Sequence, residues 1–271
     1  MNEILKYKED YVVTLKDINL RYSGEKGEVV ALKDINIDIA EGEFICILGP
    51  SGCGKSTLLK ILAGFLKPSE GEVKMDNEPI TGPDWHKGVV FQSPVLYPWL
   101  NVEDNVAFGL KMRKLPKNEI VELTNKYIEL VGLKGAQKHK TYELSGGMKQ
   151  RVSLARVLVN KPRMILMDEP FGSLDALTRR NMQTLIRKIW IKTKNTVFLI
   201  THDVDEALAL ATRIIVMSGS PGRILKEYNT DFTYQNTDIN QKNVIYTSKY
   251  IKIREEILDI INSQNEELKF S

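Results

Sequence analysis

The chain has 271 residues, 42% of them hydrophobic and 27% charged, which excludes an intrinsically disordered protein and leaves room for one large domain, or one domain with a tail. Thirty-eight basic residues against 35 acidic ones leave a net charge of +3, too small to argue for nucleic acid or an anionic membrane as the main partner. No apolar run approaches the ~18 residues a membrane span needs, and the opening MNEILKYKED has neither the basic start nor the apolar centre of a secretory leader, so a cytosolic protein is expected.

The first stretch alternates apolar with polar positions, in Val13, Leu15, Ile18 and Leu20 and again in Ile35, Ile37 and Ile39, with a glycine-bearing turn at 23–27 between them. This predicts antiparallel β structure. From Phe44 the pattern changes to short, wholly apolar runs (FICIL, GVVF, RMILM, TVFLI, RIIVM) separated by helical segments. Such runs suit parallel strands covered on both faces, and their alternation with helices predicts a doubly wound α/β core. Between 94 and about 160 the strand runs stop, and helix-period segments at 102–110, 117–131 and 146–160 read as a helical insertion. Beyond about Tyr228 the chain turns polar and aperiodic, then regains a helical pattern over 250–261, read as a docked tail. Cys46 and Cys53 fall in a strand and the loop after it, and are expected to be free thiols.

Three local patterns carry chemistry. Gly49, Pro50, Ser51, Gly52, Cys53, Gly54, Lys55, Ser56 and Thr57 match G-x-x-x-x-G-K-[ST] directly after a predicted strand and before a predicted helix. Glycines let backbone amides turn toward phosphate oxygens, the helix start adds positive dipole, Lys55 reaches the terminal phosphates of ATP and Ser56 can hold Mg2+. The apolar run MILM ends in Asp168 and Glu169, where open α/β sheets collect their ligands. Asp168 there suits a hydrated magnesium, and Glu169 suits a base for the attacking water. Two acids after a strand are, taken alone, more commonly a solvated strand end. Finally, LSGGMKQR places Ser145 as the cap of a helix with Gly147 beside it, either a second anion site or a plain helix cap.

In this order and spacing, GPSGCGKST, LSGGMKQR and MILMDEP resemble the ABC ATPase family over residues 12–227 or so. The resemblance implies a P-loop cassette with a RecA-like parallel-sheet core, an antiparallel β subdomain and a helical subdomain at about 94–160, all within 1–227, followed by a tail at 228–271. It also implies roles. Tyr22 resembles the aromatic residue that stacks on adenine, and Gln92 the glutamine that senses magnesium and the transmembrane partner. His202 resembles the switch histidine at the γ-phosphate, and the loop through Ser173, Leu174 and Asp175 the one that crosses a dimer interface, although Asp175 also suits a helix cap. Ser145 and Gly147 would complete the ATP site of a partner copy. His86 and His139 match no motif.

GVVFQSPVLYPWLNVEDNVAFGL, DEPFGSLDALTR and THDVDEALALATRIIVMSGSPGRI are similar to the nitrate, sulfonate and taurine importer group. That likeness implies a cassette at the cytoplasmic face of the cell membrane, paired with permease subunits and an extracytoplasmic solute-binding protein and coupling ATP hydrolysis in a homodimer to solute uptake. The apolar cluster Leu96, Tyr97, Pro98 and Trp99 is then the expected permease contact. Asp84, Trp85, His86 and Lys87 depart from the pattern of the group. An exporter with separate membrane subunits stays open. A nucleic-acid-associated ATPase is disfavoured, because the segment between Lys55 and Ser145 holds neither heptads nor cysteine pairs.

Overall fold

In a computed structural model of the chain, which describes residues 11–24, 27–235 and 247–270, the early alternation becomes a hairpin of two long strands, β1 (Tyr11–Gly24) and β2 (Gly27–Ala40). The apolar series shifts phase between Leu15 and Ile18. There the register slips and Asp17 takes a φ of 52°, so that both side chains face inward despite the odd spacing. Two strands that the alternation does not reveal, β4 (Glu70–Met75) and β5 (Glu78–Pro79), extend this sheet in the order β2-β1-β4-β5.

The apolar runs form a second sheet of six strands, in the order β10-β9-β3-β8-β7-β6. β3 (Phe44–Leu48), β6 (Lys87–Val90), β7 (Met164–Asp168), β8 (Thr196–Ile200) and β9 (Arg213–Met217) run parallel, and β10 (Ile224–Asn229) lies antiparallel on one edge. The central strand β3 shows why these runs are apolar throughout. Phe44, Cys46 and Leu48 join the core shared with the helices beyond, whereas Ile45 and Ile47 join the core shared with the antiparallel sheet and α1 (Lys55–Leu62). With both faces covered, no position is left for a polar residue.

Three helices form the layer beside this core: α2 (Val102–Met112), α3 (Lys117–Leu130) and α4 (Gly146–Leu158). α2 begins where Asn101 accepts a bond of 2.8 Å from the amide of Asp104, and Glu103 and Asp104 suit the positive end of its dipole. α5 (Ala176–Thr193) and α6 (Val204–Leu210) cover the sheet, with Trp190 packed edge-on against Phe44 at 5.7 Å. The polar stretch after Tyr228 contains a short helix, α7 (Phe232–Gln235), and its residues 236–246 lie outside the described residues. The expected final helix is α8 (Ser248–Phe270), which buries Tyr250 and Ile257 beside Phe232 in the main core. Among the described residues no helix is long and apolar enough to cross a membrane.

Candidate nucleotide-binding site

The glycine-rich loop leaves β3 at Leu48 and feeds α1 at Lys55. Gly54 caps that helix with a φ of 96°, and a side chain there would meet Leu32 at 2.7 Å and the carbonyl of Ala31 at 2.9 Å. Only glycine fits the turn so close to β2. α1 has no side-chain cap and no acid in its first turn, which leaves its first amides open to an anion. Lys55 is 8% exposed, and its Nζ donates to the carbonyls of Gly49 and Pro50, each at 2.8 Å. Its ammonium is therefore fixed inside the ring of the loop. Both cysteines are free thiols, and burial pushes each thiol up, Cys46 most strongly.

β7 lies two strands from β3, and its end brings Asp168 to α1, where Ser56 Oγ donates to Asp168 Oδ1 at 3.1 Å. Burial raises the Asp168 carboxyl above its usual range, and the neighbouring Glu169 charge adds to that, while the Ser56 hydrogen bond opposes both. A carboxylate so placed favours a cation. Glu169 follows with a φ of 45°, unusual for a non-glycine residue and costing about 1–3 kcal/mol. Its amide donates to Ile200 O at 3.0 Å and its carbonyl accepts from Gly172 N at 3.1 Å, so the ends of β7 and β8 enforce the strain. Its Oε2 then stands 3.3 Å from His202 Nδ1 and 3.5 Å from Gln92 Nε2. The His202 side chain is 67% exposed. Lys55, Ser56, Gln92, Asp168, Glu169 and His202 thus gather at the carboxyl-terminal ends of four parallel strands, where ligands of open α/β sheets bind.

The other expected residues stand apart from this cluster. Tyr22, 44% exposed, lies near the tip of the β1–β2 hairpin opposite Val29; the same hairpin touches Gly54 through Ala31 and Leu32. Ser145 caps α4 by accepting from the Met148 amide at 3.3 Å. A side chain on Gly147 would come within 2.5 Å of Thr178 in α5. Asp175 caps α5 through the amides of Leu177 and Thr178. His86 stacks on Trp85, and His139 is tied through its backbone, its amide donating to Ala136 O and its carbonyl accepting from Val102 N.

Sequence reasoning overlooked a residue beside this cluster, Glu206. It is 7% exposed and accepts from Thr201 Oγ1 at 2.6 Å and from Gln183 Nε2 at 3.0 Å. Its signal was an acid at a position that the helical period assigns to the buried face.

The family profile described as ABC transporter matches residues 32–172. Among curated relatives, the taurine import ATP-binding protein TauB of Pelagibacter ubique is 47% identical, over 93% of this chain and 96% of the relative. TauB of Roseobacter denitrificans is 46% identical, over 94% and 96%. Among solved structures, the dimeric post-hydrolysis state of the ATP-binding cassette MJ0796 bound to ADP and Pi is 34% identical, with a TM-score of 0.71 over 81% of this chain and 99% of that one. The structure of cbiO1 from Clostridium perfringens, part of the transporter complex cbiONQ, is 31% identical, with a TM-score of 0.75 over 91% and 100%. A glycine-rich loop between strand and helix, an acid pair at a strand end two strands away and near full-length kinship agree: the chain belongs to the ABC transporter family, as one of its ATP-binding cassettes.

Proposed function

We propose that this cassette hydrolyses ATP to drive uptake of taurine or a closely related small sulfonate, as a head-to-tail homodimer beneath separate permease subunits at the cytoplasmic face of the membrane. An extracytoplasmic binding protein delivers the solute, and nucleic acid is not a partner. The observation that carries this reading is the convergence of Ser56, Asp168, Glu169, Gln92 and His202 on one sheet edge. Near full-length likeness to proteins named for taurine import supports the solute.

In this reading the loop amides of residues 49–57 and Lys55 grip the β- and γ-phosphates, and Tyr22 stacks on the adenine. Among the described residues no cage of three or more His, Cys, Asp or Glu side chains forms, which suits magnesium, an ion held by one or two carboxylates plus substrate phosphates. Ser56, Asp168 and Gln92 are its holders here; when bound, the ion neutralises charge developing on the phosphate oxygens. Glu169 accepts the proton of the water that attacks the γ-phosphorus in line with the leaving oxygen. His202 holds the Glu169 carboxylate and contacts the γ-phosphate. Ser145 and Gly147 of a second copy close the site, since one chain offers two helix starts for phosphate but a single lysine-bearing loop. The cassette comprises 1–227, with its helical part at about 94–160, and 228–271 form the tail.

The test is uptake of labelled taurine into vesicles carrying the chain with its permease, ATP inside and binding protein outside. ATP-dependent accumulation that competing sulfonates reduce is expected. Uptake of neither taurine nor other sulfonates, despite sound ATP hydrolysis, would overturn the solute assignment.

A further inference from the structure

α6 begins two residues after His202, and two consecutive acids anchor its opposite sides. With seven residues it is too short to stand alone. On one side Glu206 is tied to Thr201 and Gln183, and burial raises its carboxyl. On the other, Asp205 accepts from Arg254 through Nε at 2.7 Å and Nη2 at 3.0 Å, and from the Tyr250 hydroxyl at 3.1 Å. Tyr250 and Arg254 are four residues apart on α8 and so share one face of it. That face is seated firmly. Tyr250 and Ile257 are buried, the Tyr250 ring lies 5.2 Å from Phe232, Lys226 pairs with Glu256, and Gln264 accepts from the Gly219 amide at 3.1 Å.

We propose that α8 braces the switch segment: Arg254 and Tyr250, acting through Asp205, are positioning residues that set where the His202 imidazole stands relative to Glu169. This rests on the role given to His202 above. The imidazole is mostly exposed and its side-chain contact is with Glu169, so its placement depends on the backbone between Thr201 and α6. That backbone is pinned on both sides. Thr201 N donates to Ile47 O, Asp203 N donates to Thr201 Oγ1, and Asp203 Oδ1 accepts from the amides of Asp205 and Glu206. Magnitude separates placement from stability. The Asp205 and Arg254 side chains are about half exposed, and such pairs contribute little to global stability, whereas a bidentate guanidinium–carboxylate pair constrains direction strongly. The tail therefore controls turnover rather than nucleotide affinity or folding.

The experiment measures kcat and KM for ATP, with melting temperatures, for Arg254→Met, His202→Ala and the double variant in the full-length chain. Arg254→Met is expected to lower kcat about tenfold with KM nearly unchanged, since misplacement of about 1 Å can cost up to ~10²-fold. In the His202→Ala background the same substitution should cost nothing further, a non-additivity that loss of stability would not produce. Additive losses, or an unchanged kcat in Arg254→Met while His202→Ala is slowed, overturn the brace alone. An unchanged kcat in His202→Ala overturns the reading of the histidine and the brace with it. If Arg254→Met melts early, Tyr250→Phe, which removes one hydroxyl, decides by the same comparison: a smaller loss that disappears without His202 is expected, and one that persists overturns the proposal.

Discussion

The carboxyl-terminal edge of the six-stranded sheet and the helical layer of α2 to α4 both carry candidate functional groups, but they differ in how those groups are answered. At the sheet edge each group meets another of the same chain: Lys55 its loop carbonyls, Ser56 Asp168, and Glu169 both His202 and Gln92. In and beside the helical layer they face outward. Trp99 is 70% exposed on an arm whose Tyr97 stacks with Phe108, and Ser145 Oγ accepts from the Met148 amide of its own helix start. The contacts of the first region are made within one polypeptide, whereas the second leaves its groups at the surface, where the proposed second copy and permease would meet them.

The sharpest way to break this comparison is at the sheet edge. Glu169→Gln keeps ATP binding but slows hydrolysis by about 10²-fold or more, the contribution of a positioned base; single-turnover assays check this, and near-normal turnover would remove Glu169 from its role. Complementation then probes the second region. In a Glu169→Gln background, Lys55→Ala and Ser145→Arg chains should each fail to dimerise with ATP, while their mixture regains dimers in sedimentation because one site per heterodimer is intact. Persistently monomeric mixtures, when Glu169→Gln alone dimerises, would place both phosphate contacts within one chain.

Smaller effects sharpen the boundary between the regions. Tyr22→Ala is expected to weaken ATP binding by about 1–3 kcal/mol, the range for base stacking, as calorimetry would register. Trp99→Ala should reduce recovery of the permease in pull-downs while shifting stability by no more than about 0.5 kcal/mol, as for an exposed position; a large fall in melting temperature would make Trp99 part of the core. The smallest effect concerns the tail. The Arg254 hydrogen bond holds the Asp205 carboxyl below its usual range, so this contact stabilises the fold above the ordinary aspartate pKa of 3.8 and loses its contribution as pH falls through the lowered value. Acid unfolding of Asp205→Asn should accordingly lack that component.

Much of the sheet edge was legible because its signals are local. FICIL, the glycine loop and KSTLLKIL lie within twenty residues, so strand, turn and helix can be read together. β4 and β10 were not legible. EGEVKM and ILKEYN hold few apolar residues, and each becomes a strand only by pairing with a neighbour, Val73 opposite Leu15 and Tyr228 opposite Ile214. Glu206 escaped notice for a related reason: its partner Gln183 comes from α5, 23 residues away.

By itself, the amino-acid sequence determined the phosphate loop, the acid pair at the end of β7 and the doubly wound class, because periodicity and turn chemistry act over a few residues. The tertiary structure alone decided which groups meet. Ser56 and Asp168 are 112 residues apart, and Asp205 and Arg254 are 49 apart, yet both pairs bond at about 3 Å. A hydrogen bond reads angstroms and not sequence separation, so only the packed strand order β3-β8-β7 and the seating of α8 on α6 could bring them together.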